Sequence, residues 1–213
     1  MPLFDDRRDA GRQLLKALPA IEPGRAVVVA LPRGGVPVGA VIAGALGCLL
    51  DVIIVRKIGA PGQPELAVGA VSDGAEPRIT VNGDIARALG LTAKDIARLA
   101  ERERGELDRR DRLYRAGQPP LDIAGRTVIL VDDGIATGAT VKSALRLLRL
   151  QGPSDIILAV PVAPTETLAE LEPEADRVVC LASPEPFIAV GAHYRDFDQT
   201  GDEEVVATLA RFQ

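Results

Sequence analysis

Short, continuously apolar runs alternate with stretches of helical spacing along most of the chain. Residues 25–32 (RAVVVALP), 50–57 (LDVIIVRK), 126–133 (RTVILVDD), 154–162 (SDIILAVPV) and 176–182 (DRVVCLA) read as buried strands. Residues 4–18, 35–47, 92–116, 138–152 and 165–173 carry helical patterns, and residues 185–212 end in another short helix. The acidic start of residues 4–18 suits a helix N-terminus. Thr92, with Asp95 three residues on, caps the longest helix. Gly152 closes the helix before it, and Pro173 stops the next. The small side chains of residues 35–47 let that helix lie close to a sheet. Residues 66–74 and 77–82 predict a hairpin or an edge extension.

Strands that are apolar on both faces and separated by helices predict an α/β fold. The sheet is mostly parallel, five-stranded and covered by helices on both sides. A length of 213 residues suits one domain. In such sheets ligands bind beyond the carboxyl ends of the strands, so chemistry is expected in the segments that follow them.

Apolar residues make up 47 % of the chain and charged residues 26 %, an ordinary globular balance. The net charge of −5 argues against a general nucleic-acid binder. No apolar run reaches the roughly 18 residues of a membrane span. The start is charged within a few residues, which predicts no signal peptide and a cytoplasmic protein. Cys48 and Cys180 sit in apolar runs and are expected to be buried, reduced thiols. His193 is the one histidine, so a multi-histidine metal site is excluded. The longest helix is dense in charge. Glu106–Arg110 and Asp108–Arg112 fall at i,i+4, as on a solvated, salt-bridged face.

One stretch departs from this ordinary pattern. In VILVDDGIATGAT, residues 128–140, a strand delivers Asp132 and Asp133 to the sheet edge. Adjacent strand residues point to opposite faces, so both reach one ligand only if the chain turns there. Gly134 permits the turn. Residues 136–140 then open a helix, where bare backbone amides make an anion nest and Thr137 and Thr140 add hydroxyl donors. Hydrogen-bond acceptors beside an anion nest want a ligand with both hydroxyls and a phosphate, and a ribose 5-phosphate fits. A Walker A loop is excluded because no lysine follows Gly138, and there is no G-x-G-x-x-G after the first strand. The aspartates are adjacent, whereas a phosphatase of the aspartyl-nucleophile kind needs D-x-D.

Residues 128–140 resemble the signature of type I phosphoribosyltransferases, and the spacing of the other segments is similar to that family across most of the chain. The resemblance implies binding of phosphoribosyl pyrophosphate as its Mg2+ complex. Asp132 and Asp133 then stand for the ribose-hydroxyl ligands, facing the metal directly, through water or through the ribose hydroxyls. Gly134 and Ala136, Thr137, Gly138, Ala139 and Thr140 stand for the turn and the 5-phosphate loop.

Two further segments follow strand ends. In the first, Arg33, Gly34 and Gly35 lie between a strand and a helix. The glycines allow close backbone approach, and Arg33 supplies a fixed cation. In the resembling family this is the pyrophosphate loop, which maps onto Leu31, Pro32, Arg33, Gly34, Gly35 and Val36. In the second, Arg56 and Lys57 lead into a loop rich in glycine and proline, suited to a mobile lid over a leaving group. Purine-type members carry similar Arg-Lys segments.

The implied reaction displaces pyrophosphate from C1 of the sugar with a nitrogen nucleophile, the acceptor being a small, purine-like molecule. Arg33, Arg56 and Lys57 are the candidates for stabilising the leaving group. Ala136 stands where hypoxanthine-guanine members carry an aspartate that transfers a proton. Glu65 and Asp73 are the alternative bases. Residues 182–213 resemble the family's hood over the acceptor, with the N-terminal helix a further contributor. Phe187 is expected to stack on the acceptor, with Val190 beside it and Asp196 as the distal acid; His193 and Tyr194 are further contacts. The family resemblance also suggests a homodimer. The competing reading is a regulatory protein that binds the donor or a nucleotide without turnover.

Overall fold

The computed structural model describes residues 2–22, 24–73 and 78–212; the side chain of Glu65 also lies outside the described residues. Helix α1 (Arg7–Ala17) starts on Asp6, whose side chain accepts from the Asp9 amide at 2.6 Å. Strand β1 (Ala26–Ala30) is buried at every position and leads into α2 (Gly35–Leu46). β2 (Leu49–Val52) returns at the edge of the sheet. A hairpin, β3 (Val55–Ala60) and β4 (Gln63–Ser72), follows with β5 (Ile79–Val81). Then come α3 (Gly83–Ala88), α4 (Ala93–Arg115), β6 (Thr127–Val131), α5 (Ala139–Arg149), β7 (Asp155–Val162), α6 (Thr165–Leu171), β8 (Arg177–Ala182) and α7 (Asp202–Leu209).

The five strands β2-β1-β6-β7-β8 form one sheet, and every pairing in it is parallel. Its two faces bury separate apolar clusters. Val28, Ala30, Ile129 and Val131 face α1, α2 and α7. Val27, Val29, Val128 and Leu130 face α5 and α6. Alternate residues of the same strands serve both faces, which is why the strands read as continuous apolar runs. The carboxyl ends of β1, β6, β7 and β8 therefore share one edge.

Residues 50–57 do not form one strand. The Ile53 amide still donates to Ala30 in the large sheet. The Ile54 amide instead donates to the Asp73 carboxylate at 3.0 Å, and Ile54 accepts from the Asp73 amide. The chain leaves the sheet there and enters the three-stranded antiparallel sheet β3-β4-β5. The segment expected as a loose lid is thus mainly a hairpin, turned at Pro61 and Gly62, with Gly62 at φ 74°. Residues 74–77, within the expected hairpin or edge extension, lie outside the described residues, but β4 and β5 do pair antiparallel.

On α4, Thr92 and Asp95 cap each other as expected. Glu106 meets both Arg109 and Arg110, at 2.8 and 2.7 Å. Arg112 corrects the expected i,i+4 ion pair: its Nε donates to the Asp108 carbonyl, not to the carboxylate. Cys48 and Cys180 are free thiols, half-buried rather than buried, and burial pushes both thiols up in pKa.

Residues from both ends of the chain pack together beside the sheet edge. Leu3 and Phe4 donate to the His193 carbonyl, and Arg195 and Asp196 donate back to Phe4 and Asp5. The rings of Phe4 and Tyr194 lie 5.1 Å apart, and those of Tyr194 and Phe197 lie 4.9 Å apart.

Candidate functional site

At the end of β6 the chain turns and presents Asp132 and Asp133 together. The Asp133 amide donates to Asp132 Oδ1 at 2.8 Å. Burial and the adjacent Asp133 charge push the Asp132 carboxyl well above the usual carboxylate range. Asp133 is held at both ends. Its Oδ2 accepts from Arg7 Nε at 2.7 Å, and its carbonyl accepts from the Tyr194 hydroxyl at 2.5 Å. The Tyr194 phenol is itself raised in pKa, first by burial and then by Asp133.

Gly134 is a packing necessity. A Cβ there would stand 2.4 Å from Val190 Cγ1 and 3.0 Å from Val162 Cγ1. Val190 thus sits directly on the loop that follows β6. Beyond it, the Ile135 amide donates to Val162, and Ala136, Thr137, Ala139 and Thr140 are exposed. Thr167 of α6, which the sequence did not single out, pins this loop. Its Oγ1 donates to the Ala136 carbonyl at 2.9 Å, and its Cγ2 would lie 2.7 Å from a Cβ at position 138. Gly138 also has φ 71°, so glycine is required twice over. The first turn of a helix leaves its amides without intrahelical acceptors. Among the described residues, the amides of residues 136–140 have no protein acceptor. They form an open, positively polarised rim.

The loop from Leu31 to Val36 lies against this pair. The Leu31 amide extends the ladder to the Val131 carbonyl, and α2 starts at Gly35. A Cβ on Gly34 would lie 2.0 Å from Asp133 Oδ2, and one on Gly35 would lie 2.6 Å from the Val131 carbonyl oxygen. These two glycines serve contact between the loops themselves. The Pro32–Arg33 peptide is cis. Arg33 is half-exposed, with Nη1 3.7 Å from Asp202 Oδ1 at the start of α7. The same Asp202 oxygen accepts from the Tyr114 hydroxyl at 2.7 Å, which together with burial pushes that phenol up to about 12.

The basic segment reaches the same region from the hairpin. Arg56, Lys57 and Thr140 line one cleft of about 600 Å³. Arg56 is ion-paired with Glu103 of α4 at 2.9 Å. Asp73 is not available as a base. It is buried against Arg115, which also binds Asp51, Asp111 and the Val52 carbonyl. Burial raises the Asp73 carboxyl despite the arginine. This cluster ties the end of α4 to the β2 edge.

Phe187 lies half-buried beyond the ends of β7 and β8. It lines a cleft of about 520 Å³ with Pro164, Thr165, Glu166, Pro184 and Glu185. Its ring centroid is 5.3 Å from that of His193, whose Nε2 is buried with no hydrogen-bond partner among the described residues. Asp196 is exposed and accepts from the Asp198 amide at 3.1 Å, as a turn cap.

A model of the phosphoribosyl transferase domain matches residues 7–196 of the chain. The chain belongs to the phosphoribosyltransferase family. It is 47 % identical over 212 residues to "Putative phosphoribosyl transferase Rv0571c" of Mycobacterium tuberculosis, covering 99 % of this chain and 47 % of that protein. It thus spans about half the length of the curated relatives it matches. The crystal structure of TT1426 from Thermus thermophilus superposes with a TM-score of 0.88 at 43 % identity, covering 100 % of this chain and 99 % of that one. A ribose-phosphate pyrophosphokinase of Methanosarcina acetivorans is 54 % identical over 39 residues, 18 % of this chain and 14 % of that protein. The α/β fold is that of type I phosphoribosyltransferases.

Proposed function

We propose that the chain transfers a phosphoribosyl group from phosphoribosyl pyrophosphate to a nitrogenous, purine-like acceptor, releasing pyrophosphate. The observation that carries this is the juxtaposition of Asp132 and Asp133 with the acceptor-free amides of residues 136–140. The carboxylates accept hydrogen bonds from the ribose hydroxyls, and the amides with Thr137 and Thr140 hold the 5-phosphate. The acceptor nitrogen forms a bond to C1 as the bond from C1 to the pyrophosphate oxygen breaks, and the proton that the nitrogen loses passes to the departing pyrophosphate or to solvent. Arg33, Lys57 and Arg56, reoriented from Asp202 and Glu103 where needed, balance charge on the leaving group.

The donor set fits Mg2+ in kind: two carboxylates side by side at the end of β6, one of them pushed up in pKa by burial and by the charge of the other. Among the described residues no three carboxylate, histidine or cysteine groups could hold a metal ion, and Mg2+ sites commonly draw ligands from substrate phosphates and water. Bound with the donor, Mg2+ supplies charge neutralisation of the pyrophosphate.

The Phe187 cleft, next to α6 and the donor loop, is our acceptor pocket, with the segment from residue 182 and helix α1 as its hood. The family resemblance supports a homodimer acting on small molecules in cytoplasmic nucleotide metabolism, rather than on nucleic acid or a membrane. No helix among the described residues is long and apolar enough to cross a membrane.

The test is to incubate protein, donor and Mg2+ with a panel of nitrogenous bases and follow pyrophosphate release. Acceptor-dependent release that is lost in Asp132→Asn plus Asp133→Asn supports transfer. Donor binding without release across a broad metabolite mixture favours a regulator instead.

A further inference from the structure

The N-terminal helix contributes a side chain to the aspartate pair. Arg7 Nε lies 2.7 Å from Asp133 Oδ2, and the two side chains are only 12 % and 15 % exposed. The guanidinium is fixed on two further sides. Nη1 donates to the Asp198 carbonyl at 2.6 Å, and Cζ sits 3.9 Å from the centre of the Phe197 ring. An arginine held by a carboxylate, a carbonyl and an aromatic face is already ordered before any ligand arrives. Three of the groups that meet at Asp133 come from distant parts of the chain: Arg7 from α1, Tyr194 from the C-terminal segment and Gly34 from the first loop.

The chemistry of the pair explains why a cation belongs there. Two adjacent carboxylates in a half-buried turn repel each other and are free to swing apart or share a proton. A hydroxyl ligand needs the opposite: an ionised carboxylate in one orientation. Arg7 occupies Oδ2 and leaves Oδ1 of Asp133 for a ligand.

We propose that Arg7 is a positioning residue of the donor site, fixing the Asp133 carboxylate for the sugar hydroxyls while remaining seated on Phe197 and Asp198. This rests on the reading of residues 132–140 as a phosphoribosyl pyrophosphate site. It makes helix α1 part of that site, and it restricts the effect of Arg7 to ligands that carry the sugar. Arg7 touches neither the amides of residues 136–140 nor Arg33, so a ligand with phosphates and no hydroxyls should not register its loss.

The experiment is calorimetry in Mg2+ with two ligands, phosphoribosyl pyrophosphate and inorganic pyrophosphate, on wild type, Arg7→Gln and Arg7→Lys. Arg7→Gln is expected to weaken the donor by about tenfold or more, as loss of one partner of a hydrogen-bonded charge pair does, and to leave pyrophosphate within about twofold. Arg7→Lys should lie between, because it restores the charge and not the second donor to Asp198. Circular dichroism and a thermal melt check the fold, and Arg7→Lys decides the matter where Arg7→Gln is unfolded. Equal weakening of both ligands, or a donor affinity unchanged in a folded variant, overturns the proposal while leaving the site intact. Wild type that binds pyrophosphate but not the donor overturns the reading of the site, and this inference with it.

Discussion

Gly34 lies directly beneath the Asp133 carboxylate: a Cβ added at position 34 would stand 2.0 Å from Oδ2. The two loops that follow β1 and β6 therefore meet through a contact that only a hydrogen atom can fill. The backbone at Gly34 is ordinary right-handed helix, φ −62° and ψ −32°, so its requirement for glycine is steric and not conformational.

Gly34→Ala is thus a clean probe. At a tolerant helix N-terminus the change would stabilise by about 0.4–1 kcal/mol. Here it should instead cost about 1–3 kcal/mol, since Asp133 and Arg7 must move. Donor affinity should fall with it. Thermal melts and calorimetry read both effects, and a variant as stable as wild type with full affinity would show that the contact is not made.

Asp132 makes a prediction about pH. Its carboxyl is raised above the ordinary value by burial and by Asp133, so the native state holds its proton more tightly than the unfolded chain does. That preference stabilises the fold fully below the unfolded pKa of about 3.9, and the stabilisation is lost as pH rises through the native value. Asp132→Asn removes the titration. The variant should melt higher than wild type near pH 8, and the gap should close toward pH 4. In a chain of this size each kcal/mol appears as about 2–4 °C. A gap that widened on acidification would contradict the assigned direction. Stability gained at the expense of donor binding would mark Asp132 as a residue kept for function.

The buried cluster around Arg115 should behave as structure. Arg115→Ala leaves Asp51 and Asp73 without their cation and should cost about 3–5 kcal/mol. Asp73→Asn keeps one acceptor oxygen, for the Ile54 amide, and turns an NH2 donor toward Arg115, which can only donate; it should lower the melting temperature while leaving turnover per folded molecule within about twofold. Loss of turnover in a folded Asp73→Asn protein would return Asp73 to the candidates for a base.

A substitution at Phe187 tests the proposed acceptor pocket apart from the proposed donor site. Phe187→Leu removes the aromatic face from the cleft beyond β7 and β8, and should raise the acceptor KM by about tenfold, the scale of about 1.4 kcal/mol for lost stacking. Donor affinity should stay as in wild type, because the Phe187 cleft shares no lining residue with residues 132–140. Calorimetry with the donor and steady-state kinetics with any acceptor found by pyrophosphate release give the two numbers.

The alternation of strands and helices was legible because strands buried on both faces leave unbroken apolar runs. The geometry of the candidate loop was legible because it is local, with carboxylates, turn and helix start all within residues 132–140. What escaped depends on distance along the chain. The break of residues 50–57 at Ile54 is made by Asp73, nineteen residues on, and nothing apolar marks it. Helix α3, at six residues, is too short to show a period, though Asn82 caps it. Arg7 read as one more charge on an amphipathic helix; its partner Asp133 is 126 positions away. Thr167 sits in a helix whose pattern shows only that it is partly exposed, while the carbonyl it holds belongs to Ala136. Arg56 read as a cation for the leaving group, and it meets Glu103 only because the hairpin folds onto α4.

The most direct test is calorimetric titration of the wild-type protein with phosphoribosyl pyrophosphate, with and without Mg2+, beside Asp132→Asn plus Asp133→Asn. Saturable binding that strengthens with Mg2+ and disappears in the double variant is the expected result. No binding, or binding that the double variant retains, would contradict a sugar-phosphate site built on these two aspartates.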